Sequence, residues 1–325
     1  MNNKIRLGIV ILAGSLALSA CVSGEGSSSA DGQKIRLDYA YYNPLSLVVR
    51  DQACLENQGY DVEWVLSTGS NKANENMNAE VIDIGSTAGA AALLARANGA
   101  AIKTIGVFSQ PEWTAIVVNA DSPITGVQDL AGQKIAATKG TDPYFFLLQA
   151  LRANGLTESD VEIINLQHAD GQAALARGDV AAWAGLDPIM ATAELTDGAR
   201  LVYRNVEFPS YGVLNAREKF IQESPELVDA VLACYEDARA WILANPDAAA
   251  EVLAAEASLD PEIAKKVLTE RTIIDVSLVP GPAQQKVLET ILPTLVAEGQ
   301  VRSEQEALDA LSTLYDPSFA TRATS

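Results

Sequence analysis

Three short segments set small polar residues where a strand would hand over to a helix: Asn43-Pro44, Gly85-Ser86-Thr87-Ala88 and Gly140-Thr141-Asp142-Pro143. At such turns the first backbone N–H groups of the helix have no intrahelical partner, and the macrodipole presents its positive end. Several of them facing one cleft would hold an anion with neutral donors alone. Ser, Thr, Asn and Asp are also the residues a helix N-cap requires, so each turn by itself reads equally well as a cap. Lys139 beside the third turn reads as a solvated surface lysine. Catalytic signatures are sparse. His168 is the only histidine, no two cysteines stand close enough for a metal knuckle, and neither a nucleophile elbow nor a phosphate loop occurs. His168 lies in Gln167-His168-Ala169-Asp170 with no nucleophile beside it, and reads as a structural loop residue. No metal and no cofactor is expected.

The elements that must carry these turns alternate. Ile35, Leu37, Tyr39 and Tyr41 interleave with Arg36, Asp38 and Ala40, the period of a half-buried strand. A helix is expected from Pro44 to about Gly59, strands at Val62–Leu66 and Val81–Ile84, a small-residue helix from about Ala88 to Asn98, and strands at Lys103–Phe108 and Thr114–Asn119. A second block repeats the logic. Its strands are Lys134–Thr138, Glu162–Leu166, Ala181–Ala184 and Arg200–Arg204, and its helices run from Pro143, near Gly171–Arg177 and from Pro188. After the strand Gly212–Ala216 the chain reads as nearly all helix. Asp142-Pro143, Asp187-Pro188, Ser224-Pro225, Asn245-Pro246 and Asp260-Pro261 each set a capping residue before a proline, and Ser303 to Glu306 is a capping box. Strands alternating with helices imply an α/β fold of parallel sheets with helices on both faces. Two such blocks and a helical tail suggest two lobes with a cleft between them, a suitable division for 325 residues.

The first residues look like an address. Lys4 and Arg6 precede the apolar run Leu7–Leu18, which is shorter than the ~20 residues that span a bilayer. Leu18-Ser19-Ala20-Cys21 then resembles a bacterial lipobox, whose cysteine is lipidated. Residues 1–20 are thus expected to be a signal peptide, with Cys21 and a Ser/Gly-rich tether over 21–32. An ordinary signal peptide followed by an incidental cysteine is the alternative. Cys54 and Cys234 remain; in an oxidising compartment they could pair, or stay as separate thiols. The net charge of −19 and the lack of a basic stripe exclude nucleic acid as a partner.

A resemblance sharpens this. Asp83 to Thr87 with Ala97-Asn98-Gly99-Ala100, Ser122-Pro123-Ile124 with Val127 to Ala136, Lys139-Gly140-Thr141 with Leu148 to Leu151, and Gly178 to Ala184 with Asp187-Pro188 resemble segments of aliphatic-sulfonate-binding proteins. These belong to the sulfonate, taurine, nitrate and thiamine-precursor branch of periplasmic solute-binding proteins, and the resemblance covers nearly all of the mature chain. It implies a type II periplasmic-binding-protein fold with two crossover strands. Lobe one would take 33–118 and return over 209–325, and lobe two would take 119–208. It implies a monomeric, exported lipoprotein, facing the periplasm or cell exterior, that hands a small anion to an ABC permease and its ATPase. Taurine, nitrate or a thiamine pyrimidine precursor are alternatives to the sulfonate. By position, Ser86, Thr87 and Ala88 would serve from lobe one and Gly140, Thr141 and Asp142 from lobe two. Asn43 would stand at the first turn, and Trp183 and Asp187 on the wall of lobe two. Trp113 and Tyr211, near the crossovers, would cover an alkyl chain. Packing explains Trp183 equally well, and capping explains Asp142 and Asp187. The chain departs from its relatives at Ala53-Cys54, where a bulkier residue is common, which makes a bridge to Cys234 thinkable. An enzyme of this fold class would resemble one needing a cysteine cluster and histidine, and a sensory domain would need a fused signalling partner.

Overall fold

The computed structural model describes residues 32–325; the expected signal segment, Cys21 and the tether up to Asp31 lie outside the described residues. The chain starts with β1 (Lys34–Tyr39), α1 (Pro44–Asp51), β2 (Asp61–Leu66), α2 (Ser70–Asn78), β3 (Ile84–Ala88), α3 (Gly89–Ala97) and β4 (Ile102–Pro111). It crosses to β5 (Ile116–Val118), β6 (Lys134–Ala137), α4 (Asp142–Ala153), β7 (Glu162–Asn165), α5 (His168–Arg177), β8 (Ala182–Ala184), α6 (Ile189–Thr196) and β9 (Arg200–Tyr203). It returns through β10 (Gly212–Arg217), α7 (Glu218–Glu223), α8 (Pro225–Ala244), α9 (Pro246–Ala257), α10 (Pro261–Glu270), β11 (Thr272–Ile273), α11 (Pro282–Ala297), α12 (Glu304–Leu314) and α13 (Ser318–Ala323). Among the described residues no helix is long and apolar enough to cross a membrane.

Two sheets result, in the orders β11-β4-β10-β3-β1-β2 and β7-β6-β8-β5-β9. They are mixed, where alternation alone implied purely parallel sheets. β1 pairs in parallel with β2 and β3, and β6 with β7 and β8. β10 runs against β3 and β4, and β5 against β8 and β9. The reason is the crossing itself. A chain leaving one lobe enters the other from the cleft side, where the parallel strands end, and so must run opposite to them. The first crossing occupies 112–115 and the second 204–211. β5 is paired in the second sheet, so lobe two starts before residue 119.

Two local differences matter for the site. α2 has no counterpart in the sequence reading because it offers only Ala73 and Met77 as an apolar stripe over an otherwise polar helix. The other concerns Ser86 and Thr87, which lie inside β3 and not in the turn after it. β3 sits between β10 and β1 with every residue buried. Its small residues are therefore set by packing on both faces, and the handover to helix comes at Ala88-Gly89.

The structure joins Cys54, in the turn after α1, to Cys234 in α8, with Cα atoms 6.0 Å apart. Both ends lie in lobe one.

Candidate functional site

Strands β1 and β2 of lobe one, and β7 and β8 of lobe two, end toward the interlobe cleft, where ligands of open α/β sheets collect. The Ser86-Thr87 segment expected to serve there is already satisfied by its neighbours in the fold. Ser86 donates its N–H to both Asp38 oxygens at 2.9 Å and its Oγ–H to Asp38 Oδ1 at 2.8 Å. Asn43 donates to Ser86 Oγ at 2.7 Å, while its own Oδ1 accepts the Ser46 N–H and caps α1. Thr87 donates to the Ala88 carbonyl and accepts from Asn215. The first donors of α3 are taken as well: Ala88 N–H by Ser70 Oγ, Gly89 N–H by the Tyr211 carbonyl and Ala90 N–H by Ser210 Oγ. Tyr211 thus serves with its backbone, not its ring.

The Gly140-Thr141-Asp142 turn meets the hinge. Asp142 is the first residue of α4, and Thr141 stands at the N-cap. The Asp142 carboxylate accepts Trp113 Nε1–H at 2.8 Å, Ser210 N–H at 2.9 Å and Ser210 Oγ–H at 2.7 Å. Burial pushes its pKa up to about 6, against the pull of Ser210 and Trp113. Thr141 Oγ donates to the Thr138 carbonyl, and Gly140 takes the left-handed φ of +79° that closes the turn facing Asn71. Trp113 meets Tyr42 edge to face at 5.7 Å. Between Ser70, Trp113, Thr141 and Asp142 only about 10 Å³ remains, room for about one water. The expected seat for an anion between the two turns is therefore filled by protein groups bonded to one another.

The larger space lies alongside. A chamber of about 400 Å³ is lined from lobe one by Tyr41, Tyr42, Ser67, Thr68, Ala257 and Leu259, and from lobe two by the starts of α5 and α6. Among the described residues, no lysine or arginine lines it. Of the site residues expected from sequence, only Asp187 reaches this chamber. It accepts the Ala191 N–H of α6 at 2.9 Å and binds Arg271 of lobe one at 3.0 and 3.2 Å. Arg271 also donates to Glu194. Trp183 does not reach the cleft. It is fully buried in the lobe-two core under α5, where a Cβ on Gly171 would stand 2.9 Å from its ring. His168 lines the chamber, contrary to its reading as a loop residue. Sequence reasoning missed Ser70, Ser210 and Arg271 altogether. Each acts across a long sequence separation, and no local motif marks such a partner.

The Asp38 carboxyl under Ser86 carries a pH signature. Burial pushes its pKa up to about 7, against the bonds from Ser86. Its ordinary value is about 3.9, so between these values the folded state holds a proton the unfolded chain lacks, and stability falls as pH rises through that window. Asp142 contributes with the same sign up to about pH 6. Burial holds His168 at about 3, which acts with the opposite sign below its ordinary value. Both latter groups cancel when wild type is compared with Asp38→Asn. The melting temperature of Asp38→Asn relative to wild type should therefore climb from pH 5 to pH 8 in thermal melts. A pH-independent difference would remove Asp38 as the titrating group.

Known proteins share this architecture. The NMT1/THI5-like family pattern matches residues 50–249. A protein of Escherichia coli (strain K12) described as an aliphatic sulfonates-binding protein is 30% identical over 276 residues, covering 83% of this chain and 84% of that one. The crystal structure of the periplasmic aliphatic sulphonate binding protein SsuA from Escherichia coli superposes with a TM-score of 0.73 at 26% identity, covering 88% of this chain and 93% of that one. The alkanesulfonate-binding protein SsuA from Xanthomonas axonopodis pv. citri, bound to MOPS, superposes with a TM-score of 0.74 at 23% identity, covering 90% and 98%. Two mixed sheets joined by two crossings, a cleft lined from both lobes and these matches have one reading: the chain has the two-lobed periplasmic-binding-protein fold and belongs to the NMT1/THI5-like family.

Proposed function

We propose that the chain is the extracytoplasmic substrate-binding component of an ABC importer, capturing an organic sulfonate between its lobes without chemical turnover. The observation that carries the reading is the interlobe chamber, free of lysine and arginine, in a chain with 30% identity to a protein described as binding aliphatic sulfonates. A sulfonate stays ionised at every working pH and spreads its charge over three oxygens. Converging N–H and hydroxyl donors suit it better than one cation. The opening turn of α5 at His168 and Ala169, with Thr68 and Tyr41, supplies such groups. The apolar remainder, Leu186, Ile189, Ala257 and Leu259, suits an alkyl body. Residues 1–20 act as the export signal and Cys21 as the lipid anchor, on the strength of the lipobox-like segment.

Calorimetry tests the ligand. Alkanesulfonates or taurine should bind with micromolar or tighter affinity, and sulfate and nitrate should give little heat. Tight binding of nitrate or a thiamine pyrimidine precursor, with no heat from any sulfonate, would leave the family standing and remove the ligand. Cell fractionation tests the anchor: Cys21→Ala should leave the membrane fraction, and unchanged fractionation would count against lipidation.

A further inference from the structure

The chamber is larger than a small acid needs. Its volume of about 400 Å³ would hold about a dozen waters at ~30 Å³ each, hence about as many non-hydrogen ligand atoms. The sulfur and oxygens of a sulfonate fill about four of those places and leave about eight for carbon. The hinge-side seat beside Trp113 adds nothing, since only about 10 Å³ remains there.

Both lobes line this space with apolar side chains. Lobe two contributes Leu186, Pro188 and Ile189 from the stretch that opens α6, and lobe one contributes Tyr41, Ala257 and Leu259. Ala257 is the last residue of α9 and the smallest side chain on the apolar wall of lobe one. Ser258 after it takes the left-handed φ of +53° and stays out of the lining, while the residues on either side enter it. The lobe-one wall continues into a core: Tyr41, Ala257 and Leu259 pack against the cluster that holds Leu253 and Ile263. Ala191 of α6, from lobe two, is buried in the same cluster. An apolar seam between the lobes therefore runs up to the chamber, and the hydrocarbon of a ligand would extend it. Asp187, the charged side chain of the lining, is already held by Arg271 and by the Ala191 N–H, so a second ionised group on the ligand would lack a free partner there.

We propose that the chamber selects sulfonates with a large apolar body of about eight carbons and no second charge, and that Ala257 sets the length it accepts. This rests on the sulfonate reading for the acid group only. Each methylene buried between the lobes strengthens binding until the space is full, and the gain then stops.

The probes are the 1-alkanesulfonates from ethane to dodecane, titrated calorimetrically into the full mature chain. Affinity should rise about threefold or more per methylene and level off near about eight carbons. Ala257→Phe should move the levelling-off to a distinctly shorter chain, and Ala257→Leu should do so to a smaller degree. In the wild type the heat-capacity change of binding should grow more negative with each methylene over the same range, a reading that needs no variant to fold. Affinity independent of length, a constant heat-capacity change, or a levelling-off that both Ala257 variants leave in place would each overturn the proposal. If no sulfonate binds at any length, the sulfonate reading fails alone. 1-Octanol then decides the apolar walls: binding that Ala257→Phe weakens supports them, and silence or an unweakened affinity overturns them.

Discussion

Replacing Arg271 with methionine should weaken ligand binding by about a hundredfold or more while changing the melting temperature little. Arg271 follows α10 in lobe one, and its partners Asp187 and Glu194 belong to lobe two. The Arg271 and Asp187 side chains are 4% and 2% exposed. Removing one member of such a buried pair leaves an uncompensated charge and costs about 3–5 kcal/mol. In a single-lobed protein that cost would fall on folding. Here the molecule can avoid it by parting the lobes and letting water reach Asp187. The cost then falls on closure, and through closure on affinity, since a ligand held by both lobes must supply the difference. Calorimetry with the tightest ligand reads the affinity, and small-angle scattering of the liganded protein reads the closure. The double variant Arg271→Met/Asp187→Asn should recover part of the loss, because the orphaned charge is gone. Wild-type affinity in Arg271→Met would show that the pair does not hold the lobes together.

The second large effect concerns folding. Cys54→Ser/Cys234→Ser should lose about 2–5 kcal/mol of unfolding free energy at unchanged ligand affinity. The bond closes a loop whose ends are 180 residues apart in sequence. The chain-entropy account assigns about 5 kcal/mol to a loop of that size, and native disulfides usually deliver somewhat less. The position adds a particular reason. Lobe two lies wholly inside the loop, so the bridge ties together the two stretches of chain from which lobe one is built, α1 to α8. Both sulfurs are remote from the chamber lining, which is why affinity should hold. Denaturant titration with and without reductant measures the effect; a difference below about 1 kcal/mol would remove the bridge as a major stabiliser.

The starts of most helices were legible because they depend on neighbours in the chain. Asn43 caps α1, Asp260 caps α10 and Ser303 caps α12 through side-chain bonds to residues two or three positions on. The alternation of strands and helices, hence two α/β lobes, was legible for the same reason: side-chain periodicity is a local property. Even there, α2 escaped notice for want of an apolar stripe, and the β3 sequence Ile-Gly-Ser-Thr-Ala reads like a turn when it is a strand buried on both faces.

The geometry of the candidate site depends on contacts between distant residues. Asp142 reads as a cap, yet its carboxylate turns to Trp113 and Ser210, which close around it when the hinge brings β4, α4 and β10 together. Asp187 reads as a cap and is one, but it is also the buried partner of Arg271, 84 residues away. The sole histidine drew attention by its rarity alone. Only tertiary packing sets its ring between Thr138 Oγ and the backbone of Gly69, at the wall of the chamber. Sequence by itself determined the lobes, the helix starts and the charge, because these follow from short-range sterics and composition. Tertiary structure decided which turns are sealed by their own neighbours and which groups still face the chamber, because a hydrogen bond is satisfied by distance in space and not along the chain.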